Sequence, residues 1–538
     1  MNAPMTRALT AHPRHWAALS PDRAAIVFGT SGRVVTYGEL DANSNRCAQL
    51  MRQAGLTRGS HVAMLIENHP AFLEIAWAAH NAGLYFTPIS WRFQLEEIAF
   101  ILQDCGAQVL FASAQQHHML HELRRRVPGL RCFLIGDVAE GCESYEAAIA
   151  ACAAEPLADE SRGSDMVYSS GSTGRPKGVK QKLAAADIDG PSAMFAVYRE
   201  RYGWGTDTVY LMPAPLYHSG PLRFAMTMQH VGATLIVMER FDANAALSLV
   251  AKHRVTDAHL VPTMLARILK LPETQRRPAD LSSLERIIHG AGPCAPEIKR
   301  AMIDWVGPIL EESYGGTEGN GLTMISSAEW LAHPGSVGRP LFGTVHILDE
   351  QGHELPPGEQ GLVYFGDGPR FEYHGQPDKT REAYDALGRS TLGDIGYVDE
   401  DGYLYLTDRR NNLVVTGGIN VFPQEVENVL ITHPEVYDVA VFGVPDFDLG
   451  EKIVAVVQPL DPGHAGPAFA DALIRYCRER LARFKVPQSI DFRTELPRHD
   501  TGKIYTRLLR SEYVDGGARG TGSAQATTVA ARATTDTR

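Results

Sequence analysis

The sequence predicts an α/β protein: a large N-terminal domain of wound sheets with a small β-rich section, followed by a smaller α+β domain at the C-terminus. Strand and helix signals alternate through the first part of the chain, the pattern of a sheet wound with helices. From about Gly343 short strands and tight turns take over, and after Asp408-Arg409-Arg410 a new alternation starts. A chain of 538 residues, 44% of them hydrophobic, has material for a large core and roughly two to four folding units. The expected division is 1–408, 409–514 and a tail, 515–538. That tail is Gly, Ala, Thr, Ser and Arg with almost no large apolar groups, a composition expected to stay disordered.

The elements follow in order. Ala24–Phe28 and residues 33–37 flank a Gly-Thr-Ser-Gly turn and read as a hairpin. The next helix puts Leu40, Cys47, Leu50 and Met51 on one face and has Gly55 as its C-cap. A strand at 61–66, a helix opening near Pro70, a short strand at 84–87, a helix over Leu95–Asp104 and a strand at 108–112 continue the wound pattern. These units are too irregular for a solenoid. In the β-rich section, 345–348, 361–365 and 396–407 read as strands, with turns at Asp349-Glu350-Gln351-Gly352 and Asp399-Glu400-Asp401-Gly402. Beyond a boundary at 408–412, Pro423 opens a helix, and 436–444 and 453–458 read as strands. Residues 469–484 carry helical apolar spacing at Ala470, Leu473, Ile474, Cys477 and Leu481.

Bulk properties exclude several classes. A formal net charge of −12 argues against a general binder of nucleic acid or membrane surface, which needs a basic face. The cysteines Cys47, Cys105, Cys132, Cys142, Cys152, Cys294 and Cys477 are scattered, with no C-x-x-C pair. That spacing suits reduced thiols and offers no zinc site. Residues 1–14 lack an apolar h-region, and no unbroken apolar stretch is long enough to span a bilayer. The expectation is a soluble cytoplasmic enzyme without a transmembrane segment, and a homodimer is allowed.

Residues 168–179 read Tyr-Ser-Ser-Gly-Ser-Thr-Gly-Arg-Pro-Lys-Gly-Val. Gly171, Gly174 and Gly178 let backbone N–H groups approach an anion closely. Ser169, Ser170, Ser172 and Thr173 add donors, and Lys177 adds a cation. A Walker A loop has glycine before its lysine and Ser or Thr after it; here Pro176 and Gly178 stand there. The segment predicts a triphosphate cradle of another kind, presented by the strand end at 166–168.

Five further segments have unusual composition. Residues 215–220 place His218 among turn residues, where a lone histidine also reads as structural. His289-Gly290-Ala291-Gly292-Pro293 follows Ile287-Ile288 as a strip of small residues, which suits a flat group against the backbone and equally a plain strand-to-turn junction. Residues 311–320 contain Thr317 and Glu318 between glycines, hard oxygen donors for Mg²⁺. Gly393-Asp394 precedes a strand, where an acidic residue can meet ribose hydroxyls. Asp500-Thr501-Gly502-Lys503 sets a lysine after a turn glycine.

Taken jointly, and in this order along the chain, residues 168–179, His218, 290–293, 314–318, Asp394, Arg409 and Gly502-Lys503 closely resemble the adenylate-forming superfamily of acyl- and aryl-CoA synthetases, luciferases and amino-acid adenylation domains. The resemblance runs over roughly residues 15–512 and is nearest to bacterial ligases of fatty, steroid-side-chain or hydroxycinnamic acids. It implies a large N-terminal domain, a small mobile C-terminal one, and a reaction in two halves. A carboxylate attacks the α-phosphate of Mg-ATP, and the CoA thiol then attacks the acyl-adenylate. The roles it implies put Ser169, Ser170, Gly171, Ser172, Thr173, Gly174 and Lys177 on the β- and γ-phosphates. Gly290, Ala291, Gly292 and Pro293, with Tyr314 and the adjoining Gly315, face adenine. Thr317 binds the α-phosphate, Glu318 with Thr317 the Mg²⁺, and Asp394 and Arg409 the ribose. Lys503 bridges carboxylate and α-phosphate, and is counted as catalytic with Thr317, Glu318 and His218.

The hinge departs from the family pattern. Where relatives often carry Lys or Asp two residues after the ribose-binding arginine, this chain has Asn411, followed by Asn412. Asparagine tolerates unusual backbone angles. By the same resemblance, Pro221, Phe224, Met226, Met228, Gly292, Gly315, Gly316 and Asn320 frame the acyl pocket. None is charged, and no aspartate stands near Tyr217 or His218 to hold an amine. A fatty or other bulky hydrophobic acid is therefore expected first and an aromatic acid, including hydroxycinnamate, second. An acyl-AMP ligase that loads a carrier protein and a nucleotide-binding regulator are the rival readings.

Overall fold

The computed structural model describes residues 12–136, 140–169, 176–183, 188, 193–409, 413–417, 419–497, 504–515 and 529–530. The hairpin predicted at the start is present, Ala24–Phe28 pairing antiparallel with Val34–Thr36. The helix Tyr37–Gln53 starts at a capping box: Thr36 Oγ1 accepts from the Glu39 N–H, and Glu39 returns a carboxylate oxygen to the Thr36 N–H. The helix Pro70–Asn81 is buried along its whole length, as its apolar sequence on every face requires.

Two large sheets frame that helix. In the second sheet, His61–Leu65 runs parallel to Tyr85–Pro88 and Val109–Ser113. Side chains alternate across this strand: Val62 and Met64 join the main core, while Ala63 and Leu65 join a separate cluster that includes Ile98, Ile101 and Leu102 of the helix Leu95–Asp104. The main sheet has a parallel half ordered Ala24–Phe28, Thr234–Val237, Val209–Met212, Asp257–Leu260, Arg286–Gly290 and Leu310–Gly315. Both faces are covered, so these strands are mostly runs of buried apolar residues.

The β-rich section is not a separate sheet. Leu322–Ser326 turns back antiparallel on Leu310–Gly315, and Ser336–Phe342 pairs both with it and with Leu404–Arg409, joining the section edge to edge with the parallel half. The hydrogen-bonded path holds thirteen strands. The two joining strands were missed because turn-rich residues and a helix, Ser327–Ala332, interrupt them.

Between Arg409 and Val414 the strand sets change: the main sheet ends and a C-terminal sheet begins. Val436–Asp446 and Gly450–Pro459 form its long antiparallel pair, and Ser489–Phe492 lies parallel to the latter. The helices Pro423–Ile431 and Pro467–Arg478 bury Val426, Leu430, Leu473 and Ile474 in this unit's own apolar cluster. The second helix ends at Arg478 rather than near 484, because the N–H groups of Arg480 and Leu481 turn back onto the Cys477 carbonyl. Within the expected tail, Val529–Ala530 pairs antiparallel with Ser489 and Ile490. A β-branched residue can occupy an open sheet edge whatever the composition around it; the rest of 516–538 lies outside the described residues.

The units touch where Lys270 Nζ donates to the Val436 carbonyl and, at 3.3 Å, to that of Tyr437. The Arg267 guanidinium lies 5.1 Å from the centre of the Tyr437 ring. Burial lowers the Lys270 ammonium from 10.5 to about 8. Among the described residues no helix is long and apolar enough to cross a membrane.

Candidate active site

The parallel strands deliver their C-terminal ends to one cleft of about 2280 Å³, bounded on one side by residues of the large unit and on the other by residues of the C-terminal unit. This is where wound sheets bind ligands. At its triphosphate side, Val167–Ser169 and Lys177–Lys180 form a hairpin whose register sets Lys177 opposite Ser169. Residues 170–175, which include Ser170, Gly171, Ser172, Thr173 and Gly174, lie outside the described residues, as does the Ser169 side chain. Gly178 earns its place in the strand: a Cβ there would stand 2.9 Å from Met166 and from the Tyr168 ring.

Lys177 Nζ lies 4.9 Å from the centre of the Tyr373 ring. Burial, then the Lys379 charge, lowers its pKa, while Glu318 acts in the opposite sense. The Tyr373 hydroxyl donates to Glu318 Oε1 at 2.9 Å. Lysine, tyrosine and glutamate thus form one chain of contacts along the cleft floor. Among the described residues no group of three or more His, Cys, Asp or Glu is placed to hold a metal. A single buried carboxylate, its second oxygen turned toward Gly316, fits Mg²⁺ that takes its remaining ligands from phosphates and water.

The side expected to take the nucleoside is built by strand register. Asp394 and Arg409 stand fifteen positions apart in the chain, yet are cross-strand partners in the antiparallel pair Ser390–Val398 and Leu404–Arg409. The Arg409 side chain is outside the described residues. Asp394 is buried and accepts from the Tyr314 hydroxyl at 2.7 Å. Gly393 takes φ +82° with no atom within 4 Å of a built Cβ, so a side chain there would be strained and would project into the cleft.

Along the small-residue strip the glycines divide the work. A Cβ on Gly290 would come 2.4 Å from the Ser313 carbonyl, so this glycine serves strand packing, whereas Gly292 has open space in front of it. Ala291 takes a left-handed φ of +65° between them, turning the chain away at the strand end. Ala291 and Pro293 are exposed in the cleft, and Gly315, also exposed, sits close against the Gly321 carbonyl.

Thr317 sits between these two sides. Its Oγ1 lies 3.1 Å from Ser219 Oγ, and its carbonyl accepts from Arg223 Nη1 at 3.1 Å. Arg223 is braced by Asp165 at 2.9 Å. His218 is the N-cap of the helix Ser219–His230 and packs against Tyr217 with ring centres 4.4 Å apart. Ser219, Arg223, Asp165 and Tyr373 escaped the sequence reading. Ser219 and Arg223 are four apart on one helix, so the spacing after His218 held the signal; Asp165 and Tyr373 had none. Lys503, Gly502, Asn411 and Asn412 lie outside the described residues.

The acyl side needs two corrections. Met228 is wholly buried in the main core, and the Asn320 amide is spent on Ser390 Oγ at 2.9 Å; neither borders the cleft. Helical geometry turns Met228 inward, and the turn at Gly319 aims Asn320 at the β-rich section. Pro221, Phe224, Met226, Gly292, Gly315 and Gly316 border the cleft, joined by Tyr198 and His259, with Arg223 and Asp165 beside them. The expectation of an uncharged frame holds only for the residues it named.

The description "AMP-binding enzyme" fits residues 13–369, and "AMP-binding enzyme C-terminal domain" fits 425–503. A long-chain-fatty-acid–CoA ligase of Mycobacterium tuberculosis is 32% identical over 514 residues, 93% of this chain and 97% of that one. A feruloyl-CoA synthase of an Amycolatopsis species is 34% identical over 513 residues, 93% and 98% of the two chains. Among solved structures, ATP-bound MatB from Rhodopseudomonas palustris superposes with a TM-score of 0.76 at 27% identity, over 94% of this chain and 99% of that one. With both domain descriptions matched in order and relatives aligned almost end to end, the chain belongs to the AMP-binding enzyme family.

Proposed function

We propose that the protein is an ATP-dependent carboxylate–CoA ligase. A carboxylate oxygen bonds to the α-phosphorus of ATP and pyrophosphate leaves. The CoA thiol, losing its proton, then bonds to the acyl carbon of the mixed anhydride and AMP leaves. The observation that carries this reading is the position of Thr317. It is fixed by Ser219 and Arg223 between the Lys177–Tyr373–Glu318 chain and the Tyr314–Asp394 pair, where an α-phosphate would lie between triphosphate and ribose. Gly292 and Gly393 leave the space a nucleoside needs. Glu318 would hold Mg²⁺, which supplies charge neutralisation on the phosphates when bound.

In the first half-reaction Lys503 would offset repulsion between carboxylate and phosphate, a contribution typically of order 10²–10³ in rate. Movement of the C-terminal unit about the 408–412 segment would then withdraw it and admit the thiol. The fatty-acid and feruloyl relatives bracket the acid: a bulky, largely hydrophobic carboxylate, handled in the cytoplasm. Incubation of the full chain with ATP, magnesium and a panel of fatty, bile-type, hydroxycinnamic and benzoic acids tests this, with CoA, an acyl carrier protein or neither present. AMP, pyrophosphate and a CoA thioester are expected. A thioester formed on the carrier alone would move the function to carrier loading, and absence of pyrophosphate throughout would refute adenylation.

A further inference from the structure

The wall beside Phe224 holds a histidine with a ring nitrogen left unpaired among the described residues. His259, on Asp257–Leu260, borders the cleft with 6% of its surface exposed. Its Nδ1 is buried without a hydrogen-bond partner among the described residues. The ring meets Phe224 edge-on, centres 4.6 Å apart and planes at 81°, and its Cε1 would stand 3.9 Å from a Cβ on Gly220. It therefore lies beneath the first turn of the helix whose Ser219 touches Thr317. Burial lowers its pKa to about 4, so at neutral pH it is an uncharged ring with one donor and one acceptor nitrogen.

A second unsatisfied group flanks the same phenyl ring. Tyr210 pairs in register with Asp257, two residues before His259 on the neighbouring strand, so both point to one face of the sheet. The Tyr210 ring is stacked with Phe224 at 6.3 Å, and its hydroxyl is wholly buried with no partner among the described residues. Nearby groups show that this face can satisfy its polar atoms: Asp257 accepts from Trp204 Nε1 at 2.9 Å and from Arg286 Nε at 2.7 Å. An unpaired buried polar group is costly, and a site made to bond one polar atom discriminates strongly against analogues lacking it.

We infer that His259, at the floor beside Phe224, is a specificity-determining residue that bonds an oxygen-bearing group on the acyl portion of the substrate, so the favoured acid is bulky and apolar but oxygenated away from its carboxylate. This rests on the ligase reading above. Tyr210 lies one step deeper and does not border the cleft.

The test uses matched acids: cinnamic against meta- and para-hydroxycinnamic, and octanoic against ω-hydroxyoctanoic, each scored by kcat/KM for CoA-dependent pyrophosphate release. In the unmodified protein at least one oxygenated acid should exceed its matched partner by about 10-fold or more. His259→Phe should invert that ratio by lowering the oxygenated acid and raising the apolar one, a redistribution that general damage would not produce. His259→Gln, which keeps a donor and an acceptor, should retain a preference for the oxygenated acid. Equal use of every matched pair by the unmodified protein, with turnover intact, overturns the inference alone. Loss of preference in Tyr210→Phe with its retention in His259→Phe overturns the assignment to His259. If no acid releases pyrophosphate, the ligase reading falls and this inference with it.

Discussion

The two sides of the cleft differ in how they meet their own polar demands. On the side proposed for the nucleotide, side chains partner one another before any ligand arrives: Tyr314 with Asp394, Tyr373 with Glu318, Ser219 with Thr317. On the side proposed for the acyl group, an aromatic wall of Tyr198, Phe224 and their neighbours packs against His259 and Tyr210, whose Nδ1 and hydroxyl are buried with no partner among the described residues. The first arrangement is preorganised for a constant ligand and needs no rearrangement when charge develops. The second, on the inference above, would be completed by its ligand, and one chemistry could then serve many acids. Damage on the nucleotide side should therefore affect all acids alike, while damage on the acyl side should redistribute activity among them.

The largest effect should come from Lys503→Ala: a fall of order 10²–10³ in acyl-adenylate formation, with thioester formation from preformed acyl-adenylate largely kept. Stopped assays of each half-reaction check it, and equal loss in both would contradict the role. Thr317→Val removes the hydroxyl but keeps the shape, and should cost about 10²-fold in the first half-reaction by the same factor for every acid. A factor that varied with the acid would break the division between the two sides. Asp394→Ala should raise the KM for ATP about 10–100-fold, the worth of hydrogen bonds to a charged group, leaving the ranking of acids unchanged. Glu318→Gln should shift the magnesium titration of pyrophosphate release to higher concentration; an unmoved titration would remove Glu318 as a ligand.

The smallest effect concerns the joint between the units. Lys270 has its pKa depressed from 10.5 to about 8 by burial against the C-terminal unit, so the docked arrangement binds fewer protons than the undocked one between those values. Docking should strengthen as pH rises through that window and weaken as it falls toward about 8. Energy transfer between labels on the two units should follow this trend and lose it in Lys270→Met.

Much of this could be read from the chain because local chemistry announces itself. The glycine-hydroxyl run suggests a phosphate cradle, the Thr317-Glu318 pair a magnesium site and Gly393-Asp394 a contact to ribose hydroxyls from composition alone. The alternating pattern at 61–66 and the helix over Leu95–Asp104 follow from periodicity alone. What escaped depends on register and packing. Asp394 meets Arg409 because two strands pair with a particular offset, and Tyr373 reaches Glu318 because a short strand joins the phosphate-loop hairpin. Met228 was misplaced because helical spacing says which residues share a face but not which face meets the cleft. His259 gave no signal, since sequence does not show that its Nδ1 is buried with no partner among the described residues.

The central claim, that the carboxylate attacks the α-phosphorus, is tested most directly with an acid labelled with heavy oxygen in its carboxylate and incubated with ATP, magnesium and CoA. The account predicts the label in the phosphate of AMP, with unlabelled pyrophosphate. Label in inorganic phosphate, accompanied by ADP, would mean attack at the γ-phosphorus and would contradict it.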